Sequence, residues 1–208
     1  MLMWEFEHKA KTKGYKNIAG VDEAGRGPLA GPVVSAAVIL PQDFSCEGIN
    51  DSKKLSEKKR NAFFPVIREQ AICVAIGISS HHEIDTINIL QASLLSMKRA
   101  VENLSGPPDF LLPDFLLIDG KFTIDMDIDQ TAIVKGDSRS ISIAAASIIA
   151  KVTRDAIMKE LHEKHPQYNF IQHKGYPTRA HKEAILRYGP CPVHRRTFKG
   201  VKKVVNER

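Results

Sequence analysis

The fold of this chain is decided by one stretch, Gly20-Val21-Asp22-Glu23-Ala24-Gly25-Arg26-Gly27. An apolar run ends in two adjacent carboxylates and opens into a loop of two glycines and an arginine. A second apolar run, residues 32–40, follows, so the simplest interpretation is an antiparallel pair of strands joined by a glycine-rich turn. Carboxylates suit a hard cation such as Mg²⁺, and a glycine loop can bind phosphate through its N–H groups. From these residues alone, an ordinary strand ending in a solvated turn remains an equal alternative.

Outward from this stretch, helical and strand patterns alternate, which predicts an α/β fold. The predicted strands cover residues 17–23, 32–40, 71–78, 115–119 and 131–135, and we expect 71–78 to be buried. The predicted helices cover residues 56–70, 80–104, 140–165 and 178–188. A five-residue segment, Pro108–Leu112, is repeated at once as Pro113–Leu117, and we assign the strand to the second copy.

The composition fits one cytoplasmic α/β domain. The chain has 208 residues, of which 43% are hydrophobic and 26% are charged. Its three cysteines are far apart and in no C-x-x-C arrangement, which argues against a disulfide framework or a zinc site and favours a reducing compartment. The longest apolar runs are too short to span a bilayer, so we expect no membrane association.

The positive charge is concentrated at the C-terminus. Residues 171–208 hold ten Lys or Arg against two Glu, a net charge of +8. The whole chain has a net charge of +6, so residues 1–170 together carry −2. A second basic cluster comprises Lys53, Lys54 and residues 58–60. Such clusters are commonly solvated surface, but two of them beside an acidic motif make nucleic acid the leading ligand class.

Two further carboxylates follow predicted strands. Asp119 ends an apolar strand, and Asp137 follows Lys135-Gly136 just before a long helix. A turn residue at Asp119 and a helix N-cap at Asp137 are the simple structural alternatives. Together with Asp22, these residues could converge at one edge of a sheet. Glu23 points to the opposite face from Asp22, so we expect it to join them only if the strand stops or bulges there.

Beyond these features, the chain resembles the ribonuclease HII family, the bacterial type 2 ribonucleases H, over nearly its whole length. The resemblance is carried by the Gly20–Gly27 stretch with the residues up to Val33, and by seven further blocks in order, Asn50–Leu55, Asn88–Ala92, Ile118–Gly120, Lys135–Ser138, Ser142–Asp155, His173–Thr178 and His194–Phe198. The repeated Pro-Asp-Phe-Leu-Leu segment and Thr197, where many relatives have serine, depart from the pattern of the family.

The resemblance implies a ribonuclease H-like mixed sheet flanked by helices, with a helical, basic C-terminal extension. It implies a catalytic domain over residues 1–170 and a basic segment, 171–208, packed on it. It also implies that two divalent ions, Mn²⁺ or Mg²⁺, are bound by four catalytic carboxylates, Asp22, Glu23, Asp119 and Asp137. The implied substrate-binding residues are Gly25, Arg26, Gly27, Lys53, Lys54, Lys174 and Tyr176. Asp155 also lies in a family block, but a salt bridge with Lys151 or Arg154 is the better interpretation of that residue.

The implied function is an endonuclease that hydrolyses the RNA strand of RNA–DNA hybrids and cuts 5′ of single ribonucleotides in duplex DNA. Gly25-Arg26-Gly27 would contact the 2′-hydroxyl, and Tyr176 would stack on the next deoxyribose. We expect the partners to be these nucleic acids and the protein to be a monomer. Two alternatives stay open, a related nuclease such as a resolvase and a catalytically silent hybrid-binding protein.

Overall fold

A computed structural model describes residues 3–45, 48–49, 55–105 and 112–206. Its five strands are β1 (Ile18–Ala24), β2 (Val33–Ile39), β3 (Cys73–Ser79), β4 (Phe115–Asp119) and β5 (Asp129–Ile133). They form one mixed sheet in the order β3-β2-β1-β4-β5. β2 is antiparallel to β1 and β3, whereas β4 is parallel to β1 and β5 is parallel to β4. The C-terminal ends of β1, β4 and β5 therefore meet at one edge of the sheet.

Seven helices accompany the sheet in the described part of the chain. They are α1 (Glu5–Thr12), α2 (Glu57–Gln70), α3 (His81–Glu102), α4 (Ile141–Lys164), α5 (Phe170–His173), α6 (Arg179–Tyr188) and α7 (Lys199–Asn206). Four of them begin after a Ser or Thr whose side chain accepts a hydrogen bond from the N–H three residues on, namely Ser56, Ser80, Ser140 and Thr178. These caps satisfy N–H groups that have no partner within the helix, and they confirm the four predicted helices.

The sheet lies between α3 and α4. On one face, strand residues such as Val21 and Ile118 pack against Met97 and Val101 of α3. On the other face, β2 packs against the alanine-rich start of α4. A Cβ on Gly20 would lie 2.1 Å from the carbonyl carbon of Ser142, so only glycine lets β1 approach the α4 backbone this closely. The predicted α/β sheet flanked by helices is confirmed.

Two predicted strands are shifted and lie at the edges of the sheet. Residues 71–78 were expected to form a buried strand, but β3 begins at Cys73 and alternates between buried and exposed side chains. Residues 131–135 were expected to be an apolar strand, but β5 is Asp129–Ile133, in which Ile133 alone is buried. An edge strand has a neighbour on one side only, so part of its surface stays in contact with water.

The backbone of α3 breaks at Asn88, where the sequence pattern predicts one helix through residue 104. Asn88 has φ 69° and ψ 165°, outside the helical region. Its side-chain oxygen accepts hydrogen bonds from the N–H groups of Leu90 and Gln91 and so starts the second half of the helix. Asparagine is well suited to this because its side chain can replace a backbone acceptor.

The N-terminal helix α1 was not predicted from the sequence. It is attached to the start of α4 through Glu7, which is buried and accepts hydrogen bonds from the hydroxyls of Ser140 and Ser142 and from the N–H of Ser142. A carboxylate at a helix N-terminus also interacts favourably with the helix dipole.

The C-terminal part of the chain packs against the turn between β1 and β2. Leu29 and Ala30 of this turn share an apolar cluster with Met158 of α4, Phe170 and Val201. The division of the chain at residue 170 stays a prediction. Among the helices described here, none is both long and apolar enough to cross a membrane.

Candidate functional site

Asp22 and Asp119 lie side by side at the C-terminal edge of two parallel strands. Val21 pairs with Ile118 in the register of β1 and β4. Both of these residues pack on the α3 side of the sheet. Because successive side chains in a strand point to opposite faces, Asp22 and Asp119 lie on the α4 side. The sheet itself therefore brings these two predicted carboxylates together.

Hydrogen bonds to main-chain N–H groups hold both carboxylates. Asp22 is 1% exposed, and its Oδ1 accepts a hydrogen bond of 2.7 Å from the N–H of Glu23. Asp119 Oδ1 accepts one of 2.6 Å from the N–H of Gly136. Gly136 opens a single turn of 3-10 helix, Gly136–Ser138, that contains the buried Asp137. The N-cap of α4 is Ser140 rather than Asp137, so the capping alternative for Asp137 is wrong.

Glu23 lies at the same edge without a break in its strand. The condition expected for this residue, a strand that stops or bulges there, is not met, because β1 pairs with β2 in register through Ala24. Its parallel pairing with β4, in contrast, ends at Val21. The carboxylate of Glu23 lies 3.4 Å from the guanidinium of Arg26.

A cavity of about 320 Å³ opens in front of this edge. Its lining combines predicted site residues with three residues of α4, and consists of Glu23, Ala24, Gly25, Arg26, Gly27, Asp119, Ser147, Lys151, Arg154 and Tyr176. The three α4 residues were not predicted as site residues. Their spacing of four and then three residues places them on one face of a helix, and this pattern could have indicated them.

Lys151 brings a positive charge to the cavity. Its Nζ lies 2.6 Å from Oδ1 of Asp155, which confirms the salt bridge predicted for Asp155. Burial lowers the pKa of Lys151, while the bond to Asp155 opposes that change. A cation that lines the same cavity as Glu23 and Asp119 is suited to bind an anionic group such as a phosphate.

The Gly25-Arg26-Gly27 loop is held from behind by Arg195, which is fully buried. Its Nη2 donates hydrogen bonds to the carbonyl oxygens of Gly25 (2.6 Å) and Pro32 (3.2 Å). Its Nη1 donates to Arg26 (3.0 Å) and its Nε to Gly31 (3.0 Å). Burial lowers the pKa of Arg195 to about 9, so the guanidinium is still protonated at neutral pH.

Arg154 connects the same turn to the segment before Tyr176. Its guanidinium donates to the carbonyl oxygens of Pro32 (3.0 Å), Ala30 (3.1 Å) and Lys174 (3.0 Å). Burial lowers its pKa to about 10. Gly25 has φ +105°, and a Cβ there would lie 2.1 Å from Arg154 Nε. We call Arg154, Arg195 and the carbonyl groups that they hold the arginine junction.

Tyr176 lines the same cavity as the glycine loop and is 43% exposed. A Cβ on Gly27 would lie 3.4 Å from Cε1 of its ring. The carbonyl oxygen of Tyr176 accepts a hydrogen bond of 2.9 Å from Nδ1 of His181. The structure therefore places Tyr176 beside Gly27.

Two buried histidines extend this contact into the core. The N–H of Cys191 donates to Nδ1 of His194, so the ring proton of His194 is on Nε2, 3.0 Å from Nε2 of His181. The ring proton of His181 is then on Nδ1, which donates its hydrogen bond to the carbonyl oxygen of Tyr176. Burial lowers the pKa of His181 to about 4 and, aided by His181, that of His194 to about 3. Both are neutral at physiological pH and act as packing residues.

Not all positive charges of the basic C-terminal segment lie on the surface. Arg195, one of its ten basic residues, is buried and donates hydrogen bonds to carbonyl groups. Lys174 donates from its ammonium to the carbonyl of Ile171 at 2.6 Å.

Lys53 and Lys54 lie outside the described residues, as do most residues of the first Pro-Asp-Phe-Leu-Leu copy. No three His, Cys, Asp or Glu side chains in the described ranges are grouped closely enough to hold a metal ion.

Known proteins resemble this chain in both sequence and structure. The sequence matches the Ribonuclease HII family over residues 19–201. A ribonuclease HII of Acetivibrio thermocellus is 58% identical over 193 residues, covering 93% of this chain and 73% of that protein. The ribonuclease H2 of Pyrococcus horikoshii OT3 has a similar structure, with a TM-score of 0.74 and 26% identity over 92% of this chain and 98% of that one. The ribonuclease HII of Archaeoglobus fulgidus, solved in complex with PCNA, gives 0.71 and 25% over 88% and 96% of the respective chains. The chain therefore belongs to the ribonuclease HII family of endoribonucleases.

Proposed function

We propose that this protein hydrolyses the RNA strand of RNA–DNA hybrids and cuts 5′ of single ribonucleotides embedded in duplex DNA, leaving a 3′-hydroxyl and a 5′-phosphate. Membership of the ribonuclease HII family supports hybrid endonuclease activity. The observation that carries the finer proposal is the shared cavity, in which Glu23 and Asp119 face the same space as the Gly25-Arg26-Gly27 loop and Tyr176. Reactive and recognition groups are thus within reach of one nucleotide.

The loop and Tyr176 would select the ribonucleotide. The 2′-hydroxyl distinguishes the sugar of RNA from that of DNA, and backbone groups can contact it whatever the base. The glycines of the loop let its backbone come close to the sugar. Tyr176, beside Gly27 in the same cavity, would stack on the deoxyribose that follows the ribonucleotide. This arrangement suits a junction between one ribonucleotide and DNA.

In their chemistry, though not in their present grouping, the carboxylates near the sheet edge suit divalent metal ions. Asp22, Glu23, Asp119 and Asp137 offer oxygen ligands only, the donor set that Mg²⁺ and Mn²⁺ prefer. Two bound ions would supply an activated water and stabilise the negative charge on the leaving 3′-oxygen. The protein orients the carboxylates through the N–H groups of Glu23 and Gly136. Lys151 and Arg26 contribute positive charge for the phosphate.

Basic residues outside the cavity would bind the phosphates of the duplex. We assign this role to Lys53, Lys54 and Lys174, and to exposed lysines of α7 such as Lys202. Such contacts raise affinity without reading sequence. We further propose a cytoplasmic monomer that acts in ribonucleotide excision repair, with residues 1–170 as the catalytic domain and 171–208 as the basic segment packed on it.

The test is a cleavage assay on three duplexes of one sequence, an RNA–DNA hybrid, a DNA with one ribonucleotide and an all-DNA control. With Mg²⁺ or Mn²⁺, we expect a single cut 5′ of the lone ribonucleotide, several cuts in the hybrid and none in DNA. Products mapped to the nucleotide identify the ends. Cleavage of the hybrid alone would reject the single-ribonucleotide activity, and binding without cleavage in either metal would favour a silent hybrid-binding protein.

A further inference from the structure

Two consecutive carbonyl groups of the glycine loop point at the same buried side chain. The oxygens of Gly25 and Arg26 accept hydrogen bonds of 2.6 and 3.0 Å from the two terminal nitrogens of Arg195. These two residues are neighbours in the chain, so Arg195 fixes two successive peptide planes.

Peptide geometry determines where the N–H groups of the loop point. In a planar trans peptide, the carbonyl of one residue and the N–H of the next point in opposite directions. With the carbonyls of Gly25 and Arg26 turned inward to Arg195, the N–H groups of Arg26 and Gly27 are turned away from it. Both residues line the cavity, whereas Arg195 does not. Successive N–H groups presented in this way form a site for an oxygen atom.

We infer that Arg195 is a positioning residue that sets ribonucleotide recognition by holding the N–H groups of Arg26 and Gly27 toward the substrate. The inference rests on the proposed function, in which this loop contacts the 2′-hydroxyl. Arg195 itself does not touch the substrate, because it is fully buried behind the loop. Its contribution is to fix the direction of donors that would otherwise rotate with the peptide planes.

The chemistry of the arginine side chain explains why this position needs that residue. A planar guanidinium offers five N–H donors in a rigid fork, whereas a lysine ammonium is a single point on a flexible stem. Here the fork serves four carbonyl groups, two in the loop and two in the following turn, Gly31 and Pro32. The backbone N–H of Arg195 is fixed in turn by the carbonyl of Leu29 at 2.8 Å. A lysine at this position would keep the positive charge but not the set of hydrogen-bond directions toward all four carbonyl groups.

The test measures binding without cleavage, in the presence of EDTA. Dissociation constants are compared for two duplexes that differ by one 2′-hydroxyl, a DNA with a single ribonucleotide and its all-DNA equivalent. For Arg195→Lys, we expect the preference for the ribonucleotide to fall about tenfold toward equal binding, with affinity for all-DNA unchanged because phosphate contacts persist. Arg68→Lys, the same change at an exposed arginine of α2, should leave the preference intact. A folded Arg195→Lys protein with the wild-type preference overturns the inference.

A measurement on the wild-type protein decides the question even if Arg195→Lys does not fold. In amide NMR spectra with EDTA, the N–H signals of Arg26 and Gly27 should shift on binding the single-ribonucleotide duplex and shift less with all-DNA. Identical shifts with both duplexes would show that these groups do not sense the 2′-hydroxyl. Failure of the proposed function gives a different result, since wild-type protein would then show no preference for the ribonucleotide and no cleavage at it.

Discussion

The carboxylate edge, formed by Asp22, Glu23 and Asp119, and the arginine junction adjoin the same glycine loop and use charge in different ways. At the edge, Asp22 and Asp119 stand side by side at the ends of parallel strands, next to a cavity that water and substrate can enter. At the junction, Arg154 and Arg195 are buried, and neutral carbonyl groups surround them. Charges that take part in chemistry must meet the substrate, whereas charges that shape a loop work best away from water, where hydrogen bonds are stronger.

The largest expected effect is at the carboxylate edge. Asp119→Asn should lower turnover by at least about a thousandfold, because it removes a carboxylate that we propose as a metal ligand, and the loss of such a ligand costs several kcal/mol of transition-state stabilisation. The fold should be retained, and kcat with Mn²⁺ is the measurement. Asp125→Asn, a change in a fully exposed side chain of the following loop, is the matched control. Unchanged turnover in Asp119→Asn would remove this residue from the site.

At the junction, the main effect should be on stability. Arg154→Met removes the donors to the carbonyls of Ala30 and Lys174, and each unsatisfied buried carbonyl costs about 1–3 kcal/mol. We expect the free energy of unfolding in urea to fall by about 2–4 kcal/mol. Arg68→Met, at an exposed arginine, should change it by less than about 0.5 kcal/mol. If both variants are equally stable, the junction contributes no net stability.

Tyr176 lies next to both regions, and its removal should change the selectivity between a single ribonucleotide and a long hybrid. Tyr176→Ala should lower kcat/KM for a single ribonucleotide by an amount equivalent to about 1–3 kcal/mol, if base stacking is a fair guide to stacking on a sugar. Long hybrids should lose less, because the next sugar there is a ribose. Tyr188→Ala, at a tyrosine with a similar 48% exposure on α6, should affect neither substrate. Equal losses on both substrates for Tyr176→Ala would mean that Tyr176 only packs the site.

The histidine pair behind Tyr176 should make stability depend on acidity. The pKa values of His181 and His194 are lowered to about 4 and about 3 in the folded protein, below the value of about 6.5 in an unfolded chain. The unfolded state therefore binds more protons, so stability is complete above pH 6.5 and falls as the pH drops toward 4. We expect a loss of about 3 kcal/mol between pH 6.5 and 5 from this pair, about half of it from each histidine. His181→Gln should flatten this dependence, whereas His82→Gln, at an exposed histidine, should not.

The smallest effect belongs to the exposed lysines of the C-terminal segment. Lys202→Gln should reduce the slope of log affinity against log salt concentration by about 0.7–0.9 if this lysine binds one phosphate. Removing the whole segment from His194 onward is a poor test, because it would also take Arg195 away from the glycine loop. An unchanged slope would show that Lys202 is solvated surface only.

Much of the carboxylate edge could be predicted from the sequence. Asp22 and Asp119 each follow an apolar run, and such runs become neighbouring strands whose ends meet. The helix caps at Ser56, Ser80 and Ser140 could also be predicted from the sequence, because capping depends on residues within one turn of each other. The failures occurred where a neighbour decides the outcome. The edge strands β3 and β5 were misjudged because burial depends on the position of a strand in the sheet.

What the sequence by itself determined is therefore local: the elements, their caps, the acidic strand ends and the glycine loop. Only the tertiary structure decided that Arg195, 169 residues after Arg26 in the chain, leaves the basic surface and holds that loop from behind. It also paired His181 with His194 and brought Tyr176 against Gly27. Composition assigns an arginine to the surface by default, because burying a charge is costly. The cost is offset only when several carbonyl groups converge on it, and that convergence exists only in the folded chain.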